Sequence, residues 1–249
     1  MKFYFYLQAG FRACLLAFLI APISAVQSEQ GLPLQKTSFD KRPKISLVVD
    51  DLGDNSIIAR QLLSLGSPMT AAILPHTPHA SRIAEFASKQ GHQIIMHLPM
   101  EAFSRPDLLG PGALRADMEK NEIVSTLLSS AASVPGMSGF NNHMGSLLTE
   151  DRQKMRWVME SAQQQGWFFL DSKTSELSIA ETVASDIGMA TIGRDIFLDP
   201  LTPNKDTNRQ KLLLTQVEKA KRIARQQGQV VIICHPYKET LAFLRQQLP

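Results

Sequence analysis

An apolar run that ends in two adjacent carboxylates constrains this chain more than any other stretch. Residues 45–53 read Ile-Ser-Leu-Val-Val-Asp-Asp-Leu-Gly. A short run rich in Val and Ile is typical of a buried parallel strand, and ligands bind beyond the carboxyl ends of such strands. Because neighbours on a strand point to opposite faces, we expect Asp50 and Asp51 to have different roles. The alternative is a solvated turn in which Asp51 or Asp54 caps a helix beginning near Ser56.

Strand and helix signals alternate along the chain. Short apolar runs predict strands at 45–50, 69–74, 93–98, 137–141, 167–171, 189–198 (in one or two pieces) and 230–234. Amphipathic windows predict helices at 56–65, 79–90, 117–132, 151–165, 175–187, 207–227 and 238–247. This alternation indicates βαβ units, a parallel sheet and a barrel or incomplete barrel. An open doubly wound sheet is the alternative, but no glycine-rich phosphate loop follows the first strand.

The amino terminus has the features of a secretory signal peptide. Lys2 and Arg12 flank an aromatic stretch, residues 13–20 form an apolar run without charge, and small residues follow at 24–25. We therefore predict a signal peptide at 1–25, a linker at 26–43 and a single domain at 44–249. An uncleaved N-terminal anchor is the alternative. Both interpretations make this an exported protein.

Charge and cysteine content narrow the function further. Removing the signal peptide removes two basic residues and no acids, so the formal charge falls from +3 to +1, with 24 basic against 23 acidic side chains. A nearly neutral domain gives no reason to expect nucleic acid or a membrane surface as a partner. Cys14 leaves with the signal peptide, and Cys234 alone cannot form an internal disulfide.

Histidines and carboxylates cluster where the predicted strands end. Five of the six histidines lie at or just beyond strand ends, and carboxylates accompany them. The residues concerned are Asp50, Asp51, His76, His79, His97, Glu101, His143, Asp171, Asp199 and His235. A barrel brings the carboxyl ends of its strands onto one face, so these side chains would converge within metal-ligand reach.

The motifs around these residues resemble the NodB-homology polysaccharide deacetylases, and most closely their divergent exported branch in Gram-negative bacteria. The resemblance covers residues 44–248. The matching blocks are Val49-Asp50-Asp51, Gly91 to His97, His97 to Glu101, Asn141 to Ser146, Asp171 and Ile233-Cys234-His235. The resemblance implies an α/β fold of the distorted or incomplete (β/α)7 barrel type.

The resemblance also implies roles for single residues. Asp51 and His97 match metal ligands, Asp50 matches the catalytic base, and His235 matches the residue that protonates the leaving amine. The third ligand stays open between two residues. Glu101 stands where the family has its second histidine, and His143 would reach from the facing loop.

Several further residues complete the expected site. Asp171 or Asp199 would orient His235, and Asn142 and Arg194 are additional site candidates. The family's Arg-x-Pro-x-Gly motif is absent, and residues 141–145 stand in its place. The expected cofactor is a divalent metal ion, with zinc as the expected element.

The implied function is metal-dependent removal of N-acetyl groups from an envelope or cell-wall polysaccharide in the periplasm. The expected partners are the N-acetylated glycan and cell-wall remodelling proteins, with no nucleic acid and, after signal cleavage, no membrane. Two alternatives come from other functional classes. A glycosidase would use Asp50 and Asp171 as its carboxylate pair without a metal. A non-catalytic envelope interaction module would keep the barrel with a degenerate site.

Overall fold

The computed structural model describes residues 42–200 and 208–248 of the 249-residue chain. The predicted signal peptide and most of the predicted linker lie outside these residues. Eight parallel strands form one sheet: β1 (Lys44–Leu52), β2 (Thr70–Ile73), β3 (Gln93–Met100), β4 (Gly139–Met144), β5 (Phe168–Asp171), β6 (Thr191–Gly193), β7 (Ile196–Phe197) and β8 (Gln229–Cys234). Among the described residues, seven α-helices connect or follow them: α1 (Ser56–Leu63), α2 (Ala80–Lys89), α3 (Lys120–Ala132), α4 (Arg152–Gln164), α5 (Ala180–Asp186), α6 (Arg209–Gln227) and α7 (Lys238–Gln247). Two short 3-10 helices lie at Pro106–Leu108 and Leu148–Glu150.

The sheet curls into an incomplete barrel, which confirms the predicted fold class. The strand order is β6-β5-β4-β3-β2-β1-β8-β7, so β6 and β7 are its two edges. Only two residues separate Gly193 at the end of β6 from Ile196 at the start of β7. Three Cα steps span at most about 11 Å, so the two edges must approach each other closely.

Arg194 and Asp195 form the seam between these edges. The Arg194 amide donates to the carbonyl of Asp171 on β5, while the Asp195 amide donates to the carbonyl of Val231 on β8. The Asp195 carboxylate accepts a second bond from the Val231 amide at 2.8 Å. The predicted strand at 189–198 is therefore two short strands, because the chain changes edges at its midpoint.

Two hydrophobic clusters fill the molecule, one on each face of the sheet. The larger lies between the helices and the convex face, and buries residues such as Val49, Met96 and Phe169. The smaller fills the barrel interior and comprises Val48, Ala72, Ile95, Leu170, Val231 and Ile233. The interior of the barrel is a packed core, as in closed barrels, and the site lies above it.

Strand alternation places three site residues on the same face of the sheet as this interior cluster. A polar residue follows an interior apolar residue by two positions on three strands, and so lies on the same face. The pairs are Val48 and Asp50 on β1, Ile95 and His97 on β3, and Ile233 on β8 with His235, which lies one residue past the end of that strand.

Helix α1 begins with a cap that differs from the sequence expectation. The side chain of Asn55 accepts bonds from the amides of Ile57 and Ile58, both at 3.1 Å. The alternative in which Asp51 or Asp54 caps this helix is therefore wrong, because Asn55, directly before Ser56, already satisfies its first amides. Among the described residues, no helix is long and apolar enough to cross a membrane.

Candidate metal centre

Three side chains from three strands meet at the carboxyl end of the barrel. The Oδ1 atom of Asp51 lies 3.2 Å from Nε2 of His97 and 3.0 Å from Nδ1 of His143. The two nitrogens are 3.1 Å apart. These atoms form a group of three potential ligands within 4.8 Å of one another. The geometry thus brings His143, and not Glu101, to Asp51 and His97.

A local break in β1 brings Asp51 into this group. Its φ is +56°, and the register of β1 against β2 shifts between Val49 and Leu52. Aspartate tolerates this left-handed conformation better than most residues. Both carboxylates therefore approach His97, and the expectation that Asp50 and Asp51 point to opposite faces is wrong. Gly53 follows with φ +147°, and any side chain there would collide with Thr77.

In each of the two imidazoles, the nitrogen that faces away from Asp51, here called the outer nitrogen, already has a hydrogen-bond partner. Nδ1 of His97 lies 2.8 Å from Oδ1 of Asn141, and Nε2 of His143 lies 3.2 Å from the carbonyl of Leu108. Both partners are acceptors, so both outer nitrogens carry the ring proton. In the neutral rings, the inner nitrogens then present lone pairs to Asp51, which is the arrangement found around protein-bound metal ions.

The donor set fits a divalent cation. Oδ1 of Asp51 is buried and accepts no hydrogen bond from the described residues, although two imidazole nitrogens lie close to it. Three acceptors this close need a positive charge between them, either a proton or a metal ion. Two imidazoles and one carboxylate are a ligand set that zinc accepts, with room for further ligands.

Neighbouring charges within the group shift the pKa values of Asp51 and His97. Burial would raise the pKa of Asp51, but the neighbouring His143 and His97 hold that pKa well below its usual range. Burial would lower the pKa of His97, yet Asp50 and Asp51 raise it to about 9. The negative field that retains this proton is the same field that would attract a cation.

Asp50 lies beneath the three-residue group. It is 2% exposed, and its Oδ1 accepts a 2.8 Å bond from Nδ2 of Asn141. Its Oδ2 lies 3.7 Å from Nε2 of His97. Burial raises the pKa of Asp50, against the opposing effect of His97 and His235. A carboxylate with a raised pKa accepts a proton more readily, which suits a general base.

His235 follows β8 and has a fixed orientation. Its Nδ1 lies 2.9 Å from Oδ1 of Asp199, and its backbone amide donates to Oδ2 of the same carboxylate. The hydroxyl of the buried Thr240 also donates to Oδ2, at 2.6 Å. Burial opposes a charge on the ring, but Asp199 raises the pKa of His235 above its ordinary value. Nε2 is therefore the nitrogen from which a proton can be transferred.

Asp199, and not Asp171, is the carboxylate that contacts His235. The Asp171 carboxylate instead accepts bonds from the Lys173 amide and the Ser178 hydroxyl, both at 2.8 Å. It also accepts a 3.4 Å bond from the Glu181 amide. These contacts organise the loop between β5 and α5, which gives Asp171 a structural role in this arrangement.

The remaining predicted residues have partners outside the group. Glu101 accepts a 2.7 Å bond from the Ala116 amide and so ties down the loop that follows β3. Asn142 donates to the Met144 carbonyl and accepts from the Ser172 amide. Arg194 donates to the carbonyls of Ser172 and Lys173, and its guanidinium lies over the ring of Phe197.

Two cavities adjoin these residues. One of about 850 Å³ is lined by Asp171 and Arg194, and none of the three potential ligands lines it. Another of about 320 Å³ lies between the loops after β2 and β3, and His143 is in its wall with His76 and Leu108. Of the two, the second cavity is the one that borders a potential metal ligand.

Sequence reasoning missed Asn141, the residue that joins the two halves of the site. Residues two apart on a strand share a face, so placing His143 at the centre also places Asn141 there and turns Asn142 away. Strand alternation in β4 was therefore the signal that could have identified it. The Leu108 carbonyl and Thr240 carried no such signal, because their roles depend on loop conformation.

Known proteins have sequences similar to that of this chain. The uncharacterised protein YibQ of Escherichia coli (strain K12) is 33% identical over 205 residues, which are 82% of this chain and 62% of YibQ. An uncharacterised Haemophilus influenzae protein is 32% identical over 210 residues, which are 84% of this chain and 72% of that protein. The chain thus spans less than two thirds of the length of YibQ.

One solved structure supports the fold, and a family model covers the domain. The crystal structure of the uncharacterised protein ATU2773 from Agrobacterium tumefaciens C58 has a TM-score of 0.75 at 23% identity, over 82% of each chain. The family model described as divergent polysaccharide deacetylase matches residues 47–249. The barrel, the motifs and this match together lead to one conclusion: the chain belongs to the divergent polysaccharide deacetylase family.

Proposed function

We propose that this protein is a metal-dependent deacetylase that removes N-acetyl groups from an envelope or cell-wall polysaccharide. One observation carries the proposal beyond family membership. Asp51, His97 and His143 direct three electron-pair donors at one point, while other groups engage the outer nitrogens of both rings. A base and an acid, Asp50 and His235, stand beside this point as hydrolysis of an amide requires.

Zinc is the ion we propose for the site. A set of two imidazoles and one carboxylate is the ligand set of several zinc hydrolases. A divalent ion held by Asp51, His97 and His143 would polarise the acetyl carbonyl and make a water molecule more acidic.

The remaining chemistry belongs to side chains of this protein. Asp50 takes a proton from the attacking water, with Oδ1 held by Asn141 and Oδ2 turned towards His97. His235, held by Asp199, donates its Nε2 proton to the nitrogen of the departing amine as the carbon–nitrogen bond breaks. The products are acetate and a free amino sugar. Asp50 and His235 have separate hydrogen-bond partners, so each of the two residues can be altered alone.

The substrate and location follow from the proposal. A polysaccharide substrate is what the family description implies, and an N-acetylated glycan is the form that this chemistry requires. The amino-terminal sequence supports export, so we propose that the enzyme acts in the periplasm, beside proteins that remodel the cell wall. The glycosidase alternative has less support, because three donors surround the Asp171 carboxylate.

Acetate release is the experiment that tests this function. The zinc-loaded mature protein should release acetate from N-acetylated chito-oligosaccharides or peptidoglycan fragments, and a chelator should stop it. Asp50→Asn should lower the rate by about 10²–10⁴, the usual effect of losing a general base. Glu218→Gln makes the same acid-to-amide change in an exposed carboxylate on α6, paired with Lys221, and should leave the rate unchanged. No acetate from any of these substrates would overturn the proposal and favour the non-catalytic envelope module.

A further inference from the structure

Asn141 touches both the proposed base and a potential ligand. Its side chain is fully buried. Oδ1 lies 2.8 Å from Nδ1 of His97, and Nδ2 lies 2.8 Å from Oδ1 of Asp50. Nδ2 also lies 3.1 Å from the hydroxyl of Ser172. The amide is therefore bonded at both ends.

The curl of the sheet makes this contact possible. Asn141 is on β4 and Asp50 is on β1, with two strands between them. In a flat sheet, four adjacent strands would separate their backbones by about 14 Å, further than these two side chains could bridge while standing upright. His97, by contrast, is the direct neighbour of Asn141 in the ladder between β3 and β4. One amide thus joins groups from three strands across the barrel.

The side-chain amide of Asn141 has one donor end and one acceptor end, and this fixes which partner donates in each hydrogen bond. The Nδ2 end can only donate, and it faces two oxygen atoms, those of Asp50 and Ser172. The Oδ1 end can only accept, so the proton between it and His97 belongs to Nδ1 of the ring. Nε2 of His97 is then the nitrogen turned towards Asp51 and His143.

We propose that Asn141 is a positioning residue that fixes His97 in its Nδ1–H form for metal binding and holds Asp50 in place as the base. This inference rests on the proposed metal site and deepens it. Hydrogen-bond partners of metal-binding histidines fix ring orientation in this way, and their loss typically weakens metal binding by about 10–100-fold.

Two substitutions distinguish the effect of Asn141 on His97 from its effect on Asp50. Asn141→Ala removes both bonds and should weaken zinc binding by about 10–100-fold in a competition titration. Asn141→Asp keeps an acceptor for His97 but offers Asp50 a carboxylate in place of a donor. It should keep zinc binding at or above the wild-type affinity while acetate release falls. Weak zinc binding by both variants would overturn the proposed role of the acceptor.

Asn142→Ala is the matched control for destabilisation. Asn142 is the next residue on the same strand and is 1% exposed, but its bonds go to Met144, Thr174 and Ser172. Its loss should lower thermal stability while zinc affinity stays close to that of the wild type. An equal loss of affinity in both alanine variants would overturn the proposal, since β4 as a whole would then support the site.

The ring nitrogens of His97 give a direct measurement on the unaltered protein. Nitrogen-15 NMR of the zinc-loaded protein should find Nδ1 protonated and Nε2 bound to zinc, and the metal-free protein should also keep the Nδ1 proton. An unprotonated Nδ1 in either form would contradict the proposal. Neither titration nor spectrum needs substrate. Zinc binding without acetate release would therefore reject the deacetylase and the role of Asn141 towards the base, and would leave its role towards His97 standing.

Discussion

Asp50 and Asp51 are neighbours in the chain, yet their surroundings move their pKa values in opposite directions. Burial dominates at Asp50 and raises its pKa. At Asp51, burial is outweighed by His143 and His97, which lower the pKa. The sequence predicted different roles for these carboxylates on the basis of strand alternation. A backbone break at Asp51 instead brings both carboxylates to one side of β1, towards His97.

His235 offers the clearest pH prediction at the scale of one residue. Asp199 raises the pKa of His235, so the protonated acid persists to higher pH than an ordinary histidine would. Activity that needs this proton falls as the pH rises through that pKa. In Asp199→Asn the pKa of His235 drops, so the alkaline limb of the kcat/KM profile should move to lower pH.

Asp195→Asn provides the control for this measurement. It makes the same chemical change in a carboxylate that bonds to the Val231 amide at the seam. Its alkaline limb should stay at the wild-type position. An unmoved limb in Asp199→Asn would mean that His235 is not the group whose protonation limits the reaction.

The choice between His143 and Glu101 also belongs to the residue scale, and the sequence could not make it. Both are plausible donors at strand ends, and a motif gives residue types without loop paths. The decisive fact is the course of the loop after β3, where Glu101 turns to the Ala116 amide and Leu108 comes back to His143. No periodic pattern predicts that course.

Among the elements, the strands place the site and the loops complete it. Asp50 and His97 each follow an interior apolar residue by two positions on a strand, so strand period positions them. His235 has the same spacing from Ile233 but lies just past β8, where Asp199 also holds it. This part of the site was predictable, and so were the strands and helices themselves. Asp171, also at a strand end, is the exception, because its carboxylate serves the following loop instead.

Asp171 supplies a prediction about the β5–α5 connection. Asp171→Ala would leave the part-buried Lys173 amide and Ser178 hydroxyl without their acceptor, and should lower the free energy of unfolding by roughly 1–3 kcal/mol in denaturant titrations. Zinc binding should persist in the folded variant, because Asp171 is not one of the three ligands.

Asp186→Ala is the matched control, since Asp186 lies at the end of α5 in an exposed ion pair with Arg152. Exposed pairs contribute about 1 kcal/mol or less, so its effect should be small. Unchanged stability in Asp171→Ala together with lost acetate release would instead make Asp171 part of the chemistry and revive the carboxylate-pair alternative.

At the scale of the whole molecule, the curvature of the incomplete barrel brings site residues from separate strands into contact. The two-residue seam at Arg194 and Asp195 forces the sheet to curl, and the curl lets β4 reach β1 through Asn141 and Asp50. The alternation of strands and helices predicted the barrel, because each βαβ unit has its own local pattern. It could not predict contacts across the interior, since these depend on the curvature of all eight strands together.

Metal stoichiometry tests the central claim most directly. The purified mature protein, dialysed and titrated with zinc, should bind one ion per chain, as measured by calorimetry and elemental analysis. Asp51→Ala, His97→Ala and His143→Ala should each abolish stoichiometric binding while the fold persists, because these side chains lie above the packed interior. Glu101→Ala should retain one zinc ion. Full occupancy in the three ligand variants, or loss in Glu101→Ala alone, would contradict the proposed centre.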